Sequence, residues 1–203
     1  MSAETKSETR ERLLAAAAQE FGRAGLERAS IDAISLRAGV AKGTIYNYFS
    51  SKEDVFLAVV DEAARRAASA ADDGRATTVR ERLELTLAGF CDWARDHEAF
   101  ARVLVRECLM GTPDLYSKVM IAETPLVHAL ESLVIEGVRG GEIRDDVPPA
   151  VLALALAGLV DLGLAQYWAS DGARPTLEEI PGLAVQLLLG APGKPPRPGR
   201  GAR

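Results

Sequence analysis

Ser30-Ile31-Asp32-Ala33-Ile34-Ser35-Leu36-Arg37-Ala38-Gly39-Val40-Ala41-Lys42-Gly43-Thr44-Ile45-Tyr46-Asn47-Tyr48-Phe49-Ser50-Ser51-Lys52-Glu53 is the stretch that decides the architecture. Ser30 carries a side-chain oxygen suited to capping a helix, and Ile31, Ile34 and Leu36 give a short apolar pattern over two turns. Gly39, with no Cβ, is free to take a left-handed conformation and turn the chain sharply. Residues 41–49 then read as a second short helix, with Ile45 and Phe49 facing inward by their four-residue spacing. Two short helices around a tight glycine turn, with a third in front, outline a helix-turn-helix. The first braces the second, whose exposed side chains fit a major groove wide enough to admit a helix. Because many helical proteins contain such a pair, geometry alone leaves DNA binding and ordinary helix packing both open.

Working outward, residues from about 6 to 22 form an amphipathic helix on Leu13, Leu14, Ala17 and Phe21. Thr5 and Glu8 are spaced for a capping box at its start, and Gly22 and Gly25 are placed to end it. Downstream, Ser50 and Ser51 are alternative caps for a helix over about 52–71 that joins head to body and ends at Asp72-Asp73-Gly74. Further helices are expected over about 78–96, 98–110, 114–138 with a bend near Pro125, 149–170 and 176–189. The fold class is therefore all-α, about nine helices. A helix-turn-helix head occupies 1–50, a helical body 51–190, and a basic Gly/Pro/Arg tail 191–203 is expected to be disordered.

The net charge of −5 argues against a nucleic-acid binder until it is divided along the chain. Residues 1–52 carry eight Lys or Arg against six Asp or Glu, 67–190 carry ten against nineteen, and the tail from Ala191 adds four basic residues and no acidic one. A modestly basic head on an acidic body can hold phosphates, since the local field governs the contact. Cys91 and Cys108 are too few for a disulfide framework and lack metal-ligand spacing, so they read as reduced apolar residues, with a redox pair as the minor alternative. Neither a metal nor a cofactor is expected. The N-terminus is polar, unlike a signal peptide, and the apolar run 147–164 is broken by Pro148, Pro149 and Asp161, so a cytoplasmic protein without a membrane span is expected.

The stretch 30–53, together with the upstream Ala-rich helix ending Phe21-Gly22 and with Gly25, closely resembles the DNA-binding signature of the TetR family of repressors. The resemblance covers about the first quarter of the chain in one ungapped run. The rest matches only in helix number and order. It implies nine helices, a dimer built mainly on the last two, and an acyl, aromatic, drug-like or metabolite effector in the body. Ala41 departs from the pattern, being a weak cap where the family often has Ser or Thr.

Lys42, Thr44 and Asn47 are the expected base readers: Lys donates to guanine, Asn reads adenine with a donor and an acceptor, and Thr touches a thymine methyl. Gly43 would admit the helix close to DNA. Tyr46 and Tyr48 are candidates for phosphate contact, with core packing as the alternative, and Lys52 is a phosphate anchor aided by amides at its helix start. Ser30 is expected to cap its helix and to place that terminus near phosphate. In the body, Phe90, Trp93, Phe100, Met110, Tyr116, Met120, Tyr167 and Trp168 are candidate effector-lining residues, against the simpler reading that each packs the core.

The helix over 149–170 is apolar nearly all round, which suggests a homodimer through it and 176–189, or else a central helix in a single-chain core. The expected function is a ligand-responsive repressor that holds a palindromic, double-stranded operator as a homodimer and is released by a small hydrophobic or aromatic effector. Three alternatives remain: an activator or effector-free DNA binder, a helical enzyme, and a protein-recruiting scaffold. No nucleophile, base and orienting group assemble in the sequence to favour the enzyme.

Overall fold

The computed structural model describes residues 3–70 and 76–189, all of whose regular elements are helices. They are α1 (Ala3–Arg28), α2 (Ile31–Arg37), α3 (Lys42–Ile45), α4 (Lys52–Ser69), α5 (Val79–Asp96), α6 (Glu98–Met110), α7 (Pro113–Ala122), α8 (Thr124–Gly140), α9 (Pro149–Ala169) and α10 (Glu179–Leu189). The all-α class expected from the sequence is observed. The expected Asp72-Asp73-Gly74 stop and the basic tail lie outside the described residues.

Gly22 does not end α1. A Cβ built on it would lie 2.7 Å from Ala99 Cβ and 2.9 Å from the Phe100 amide nitrogen, so this glycine lets α1 lie against α6. The break comes instead at Gly25 (φ 76°, ψ 168°), and a further turn runs to Arg28. The helix already begins at Ala3, so Thr5 lies inside it, and the Thr5 side chain is outside the described residues.

The single helix expected over 114–138 is two helices, raising the count among the described residues to ten. Pro125 lacks an amide hydrogen to continue α7, and the chain restarts with Pro125 in the first turn of α8 and Glu123 at the break. Pro113 likewise sits in the first turn of α7. Helix starts elsewhere follow local chemistry. Thr78 and Glu81 close a capping box before α5, and Ser51 Oγ accepts from the Asp54 amide at the start of α4.

In the body, α5 packs on α4, α8 and α10, while α9 packs on α8, α10 and α6. By length and composition α9 could cross a membrane, yet it is built into this bundle and carries the buried Asp161. Head and body meet through α1, which packs on α4 and α6. At that junction the Phe21 ring lies edge-on to Phe56 (5.3 Å) and Phe100 (6.2 Å), and Phe56 and Phe100 are 5.1 Å apart. All three rings are fully buried, so the head is set on the body by a rigid aromatic joint.

Candidate nucleic-acid interface and effector core

The turn between α2 and α3 is built on Gly39, whose φ of +67° is the left-handed conformation expected of it. Its amide donates to the Leu36 carbonyl, and the Val40 amide to the Ser35 carbonyl. Ile34, Ala38, Ile45 and Phe49 are buried. Leu36 is not part of this face: it is 83% exposed, because a residue two places after Ile34 lies on the opposite side of a helix. The second helix is also shorter than the expected 41–49. Regular α-helix spans Lys42–Ile45, then tighter bonds follow from the Asn47 amide to Thr44 O and from the Tyr48 amide to Ile45 O.

Lys42, Gly43, Tyr46 and Asn47 are exposed on this element, and Thr44 is half-buried. No atom lies within 4 Å of a Cβ built on Gly43, so the surface is open there. Lys42 Nζ lies 2.7 Å from Asp32 Oδ1, and this hydrogen bond and the carboxylate's charge raise its pKa. Lys52 Nζ donates to the Glu27 carbonyl at 2.6 Å. The Tyr48 hydroxyl reaches the Lys6 carbonyl at 3.4 Å from a half-buried ring beside Phe49.

One expectation about a helix end is corrected here. Ser30 makes no side-chain cap to α2. Nearby, the Glu20 carboxylate takes two hydrogen bonds from Arg23 (2.9 and 3.1 Å). The Arg23 bonds foremost hold Glu20 below the usual carboxylate range. Of the α4 amides invoked for Lys52, that of Asp54 is bound by Ser51 Oγ.

The eight aromatic and methionine residues named for the effector do not line one space. Phe90 and Trp93 are buried and stacked at 5.7 Å, with Trp93 also stacked on His97, and Phe100 belongs to the joint between head and body. Met110 and Tyr116 are exposed. Met120, Tyr167 and Trp168 are half-buried, with Arg102 5.1 Å above the Trp168 ring. Of the eight, Phe90 alone borders the small interior space where Glu123 and Asp161 meet.

Sequence reading did not single out these two acids as a site. Burial and then the Asp161 charge push the Glu123 carboxyl well above its usual range, and burial does the same to Asp161. The only sequence signal was an aspartate interrupting the apolar run of α9. Burial also raises both thiols, Cys91 to about 12, so neither is primed as a reactive thiolate. A cleft of about 510 Å³ opens between α5 and α10, walled by Leu85, Ala88, Cys91 and Leu177 and rimmed by Glu84, Asp92, Arg95 and Glu178.

Residues 13–59 match the family of bacterial regulatory proteins, tetR family, and residues 76–191 match the tetracyclin repressor-like C-terminal domain, which alone spans more than half of the chain. The chain belongs to the TetR family. It is thus a DNA-binding transcription regulator, and its family is regulatory rather than catalytic. Among curated relatives, the fatty acid metabolism regulator protein of Bacillus subtilis is 24% identical over 87% of this chain and 92% of its own. The transcriptional activator FasR of Mycolicibacterium smegmatis is 29% identical over 82% and 74%, and the repressor AcnR of Corynebacterium diphtheriae 28% over 88% and 90%. Among solved structures, the fatty acid degradation regulator FadR of Bacillus halodurans superposes with a TM-score of 0.76 at 25% identity, covering 89% of this chain and 97% of that one. FadR of Bacillus subtilis in complex with stearoyl-CoA gives 0.75 at 22% identity, over 89% and 98%. In this TetR-family chain, then, the head is the DNA-binding unit, and the α5–α10 cleft and the inner acidic space are the openings of the body described above.

Proposed function

We propose that the protein is a ligand-responsive repressor that binds a palindromic operator as a homodimer and is released by a small apolar effector. The observation that carries this reading is the outward face of α3, where Lys42, Gly43 and Asn47 stand clear of the core while Ile45 and Phe49 anchor the helix from behind. Lys42, Thr44 and Asn47 read base edges, Gly43 admits close approach, and Ser30, Tyr46, Tyr48 and Lys52 bind the phosphate rim. For Lys52 and Tyr48 this means exchanging their present carbonyl partners for phosphate.

The head spans 1–50 and the body 51–190, with α4 as the lever between them. Dimerisation runs through 149–170 and 176–189, supported by Val151, Leu154 and Leu162 on α9 and Leu183 and Leu187 on α10, all large apolar side chains left exposed. An acyl or aromatic effector is supported by the relatives named as fatty acid regulators, one of them crystallised with stearoyl-CoA. The α5–α10 cleft has the volume of a small-molecule site. The protein works in the cytoplasm.

The test is selection of bound duplexes from a random DNA library by purified protein, with the oligomeric state of each complex measured. A recovered palindrome bound by a dimer supports the reading. No enrichment, repeated with refolded, ligand-stripped protein, refutes it. An activator is the second reading, since FasR is named as one, and operator position relative to the promoter separates the two.

A further inference from the structure

Three potential metal ligands from separate helices converge inside the body, although nothing in their sequence spacing announces them. Cys108 comes from α6, Glu123 from the break between α7 and α8, and Asp161 from the middle of α9; one ligand atom of each lies within 4.8 Å of the other two. Glu123 is 3% exposed and Asp161 7%. Glu123 Oε1 has no hydrogen-bond partner among the described residues. The two acids border a space of about 10 Å³ whose other walls are Leu87, Phe90, Leu126, Ala157 and Val160. No described basic side chain pairs with either acid. An unpartnered carboxylate oxygen in apolar walls, facing a second carboxylate, is expensive as a charge unless a proton or a cation joins it.

Size and donor type choose the cation. The space holds about one water-sized body, which suits a single ion and rules out an organic amine. Magnesium and calcium take oxygen ligands, whereas a thiolate beside carboxylates selects an ion such as zinc. We propose that Cys108, Glu123 and Asp161 form a three-ligand site for one divalent transition-metal ion of the zinc class, tying α6, the α7–α8 break and α9 together. On loading, the thiol proton and any proton held by the acids pass to solvent, three negative ligands face two positive charges, and a fourth coordination position stays open. Zinc–ligand bonds of about 2.0–2.3 Å place ligand atoms roughly 3–4 Å apart, inside the 4.8 Å that already encloses these three, so the ion fixes α6, the α7–α8 break and α9 at one separation.

The ion has a route to the head. Lys118 on α7 lies 2.7 Å from Glu53 in the first turn of α4, directly after the recognition segment. Loading therefore changes operator affinity, a consequence that rests on the operator-binding function proposed above.

The test titrates cobalt(II) into chelator-stripped, full-length protein and follows thiolate-to-metal charge transfer, then displaces the cobalt with zinc. One ion per chain is expected, with the band lost in Cys108→Ser and Cys108→Ala, kept in Cys91→Ser, and shifted to at least tenfold weaker binding in Asp161→Asn. Absence of saturable uptake by the unmodified protein overturns the site, and so does a band that survives both Cys108 variants. Operator affinity is measured on the same samples with and without zinc. A change of about fivefold or more supports the regulatory consequence, and an unchanged affinity overturns it. Protein that takes up cobalt but selects no operator leaves the metal site standing and overturns the operator-binding function alone.

Discussion

Lys42 Nζ and Asp32 Oδ1 are 2.7 Å apart, so a side chain assigned to base reading is paired within the head itself. Both partners are more than half exposed, and such a pair adds little to folding stability. Its effect falls on DNA binding, because Asp32 competes with the operator for the lysine and brings a negative charge toward the phosphates. Asp32→Asn is expected to raise operator affinity on the order of threefold, equivalent to about 0.6 kcal/mol. Lys42→Ala is expected to lose about 1–3 kcal/mol on the selected operator. Fluorescence anisotropy across a salt series checks both, and no loss in Lys42→Ala would remove that lysine from the interface.

Two glycines of the head are expected to answer alanine in opposite ways. At Gly22 the new Cβ meets Ala99 Cβ at 2.7 Å and the Ala99 backbone carbonyl carbon at 2.9 Å, so α1 must move off α6, at a cost of about 1–3 kcal/mol. At Gly43 the Cβ meets nothing, and replacing helical glycine is expected to stabilise by about 0.4–1 kcal/mol. If α3 approaches DNA closely, Gly43→Ala weakens operator binding while the fold gains stability. Urea unfolding and operator titration of both variants provide the check.

Glu20 gives the head a defined response to acid. Its pKa is lowered in the folded chain, first by the Arg23 hydrogen bonds, so its contribution is complete above the ordinary carboxylate pKa and is lost as pH falls through the lowered folded value. Glu20→Gln is expected to cost on the order of 1 kcal/mol at pH 7, discounted because Arg23 is exposed. The gap between variant and parent should narrow steadily as unfolding is repeated below about pH 4.5. A gap independent of pH would sink this account.

Phe100 lies in the aromatic joint between head and body. Removing its ring opens a cavity between Phe21 and Phe56, and Phe100→Ala is expected to cost about 3–5 kcal/mol. Phe100→Leu should keep most of that stability. Calorimetry on both variants tests the assignment, and a stable Phe100→Ala would refute it.

The exposed leucines of α9 and α10 are expected to be the dimer contact. Leu162→Glu and Leu187→Glu place a charge where a second copy would bury it, while in the single chain they face solvent. Sedimentation should find dimeric parent protein and monomeric variants of unchanged helicity. Variants that remain dimeric would move the interface elsewhere.

What the sequence determined by itself is local and periodic. The Gly39 turn, the inward faces of Ile34, Ile45 and Phe49 and the outer limits of α6 follow from backbone freedom and helical spacing, which act over a few residues. Tertiary structure decided whatever depends on neighbours distant in the chain. Gly22 reads as a stop until Ala99 is found against it, and Lys42 as a free cation until Asp32 is seen beside it. The meeting of Cys108, Glu123 and Asp161 is the extreme case. Three residues separated by 15 and 38 positions come within 4.8 Å of one another only because α9 packs on both α6 and α8, and side-chain periodicity along one helix holds no information about what a different helix brings to the same point.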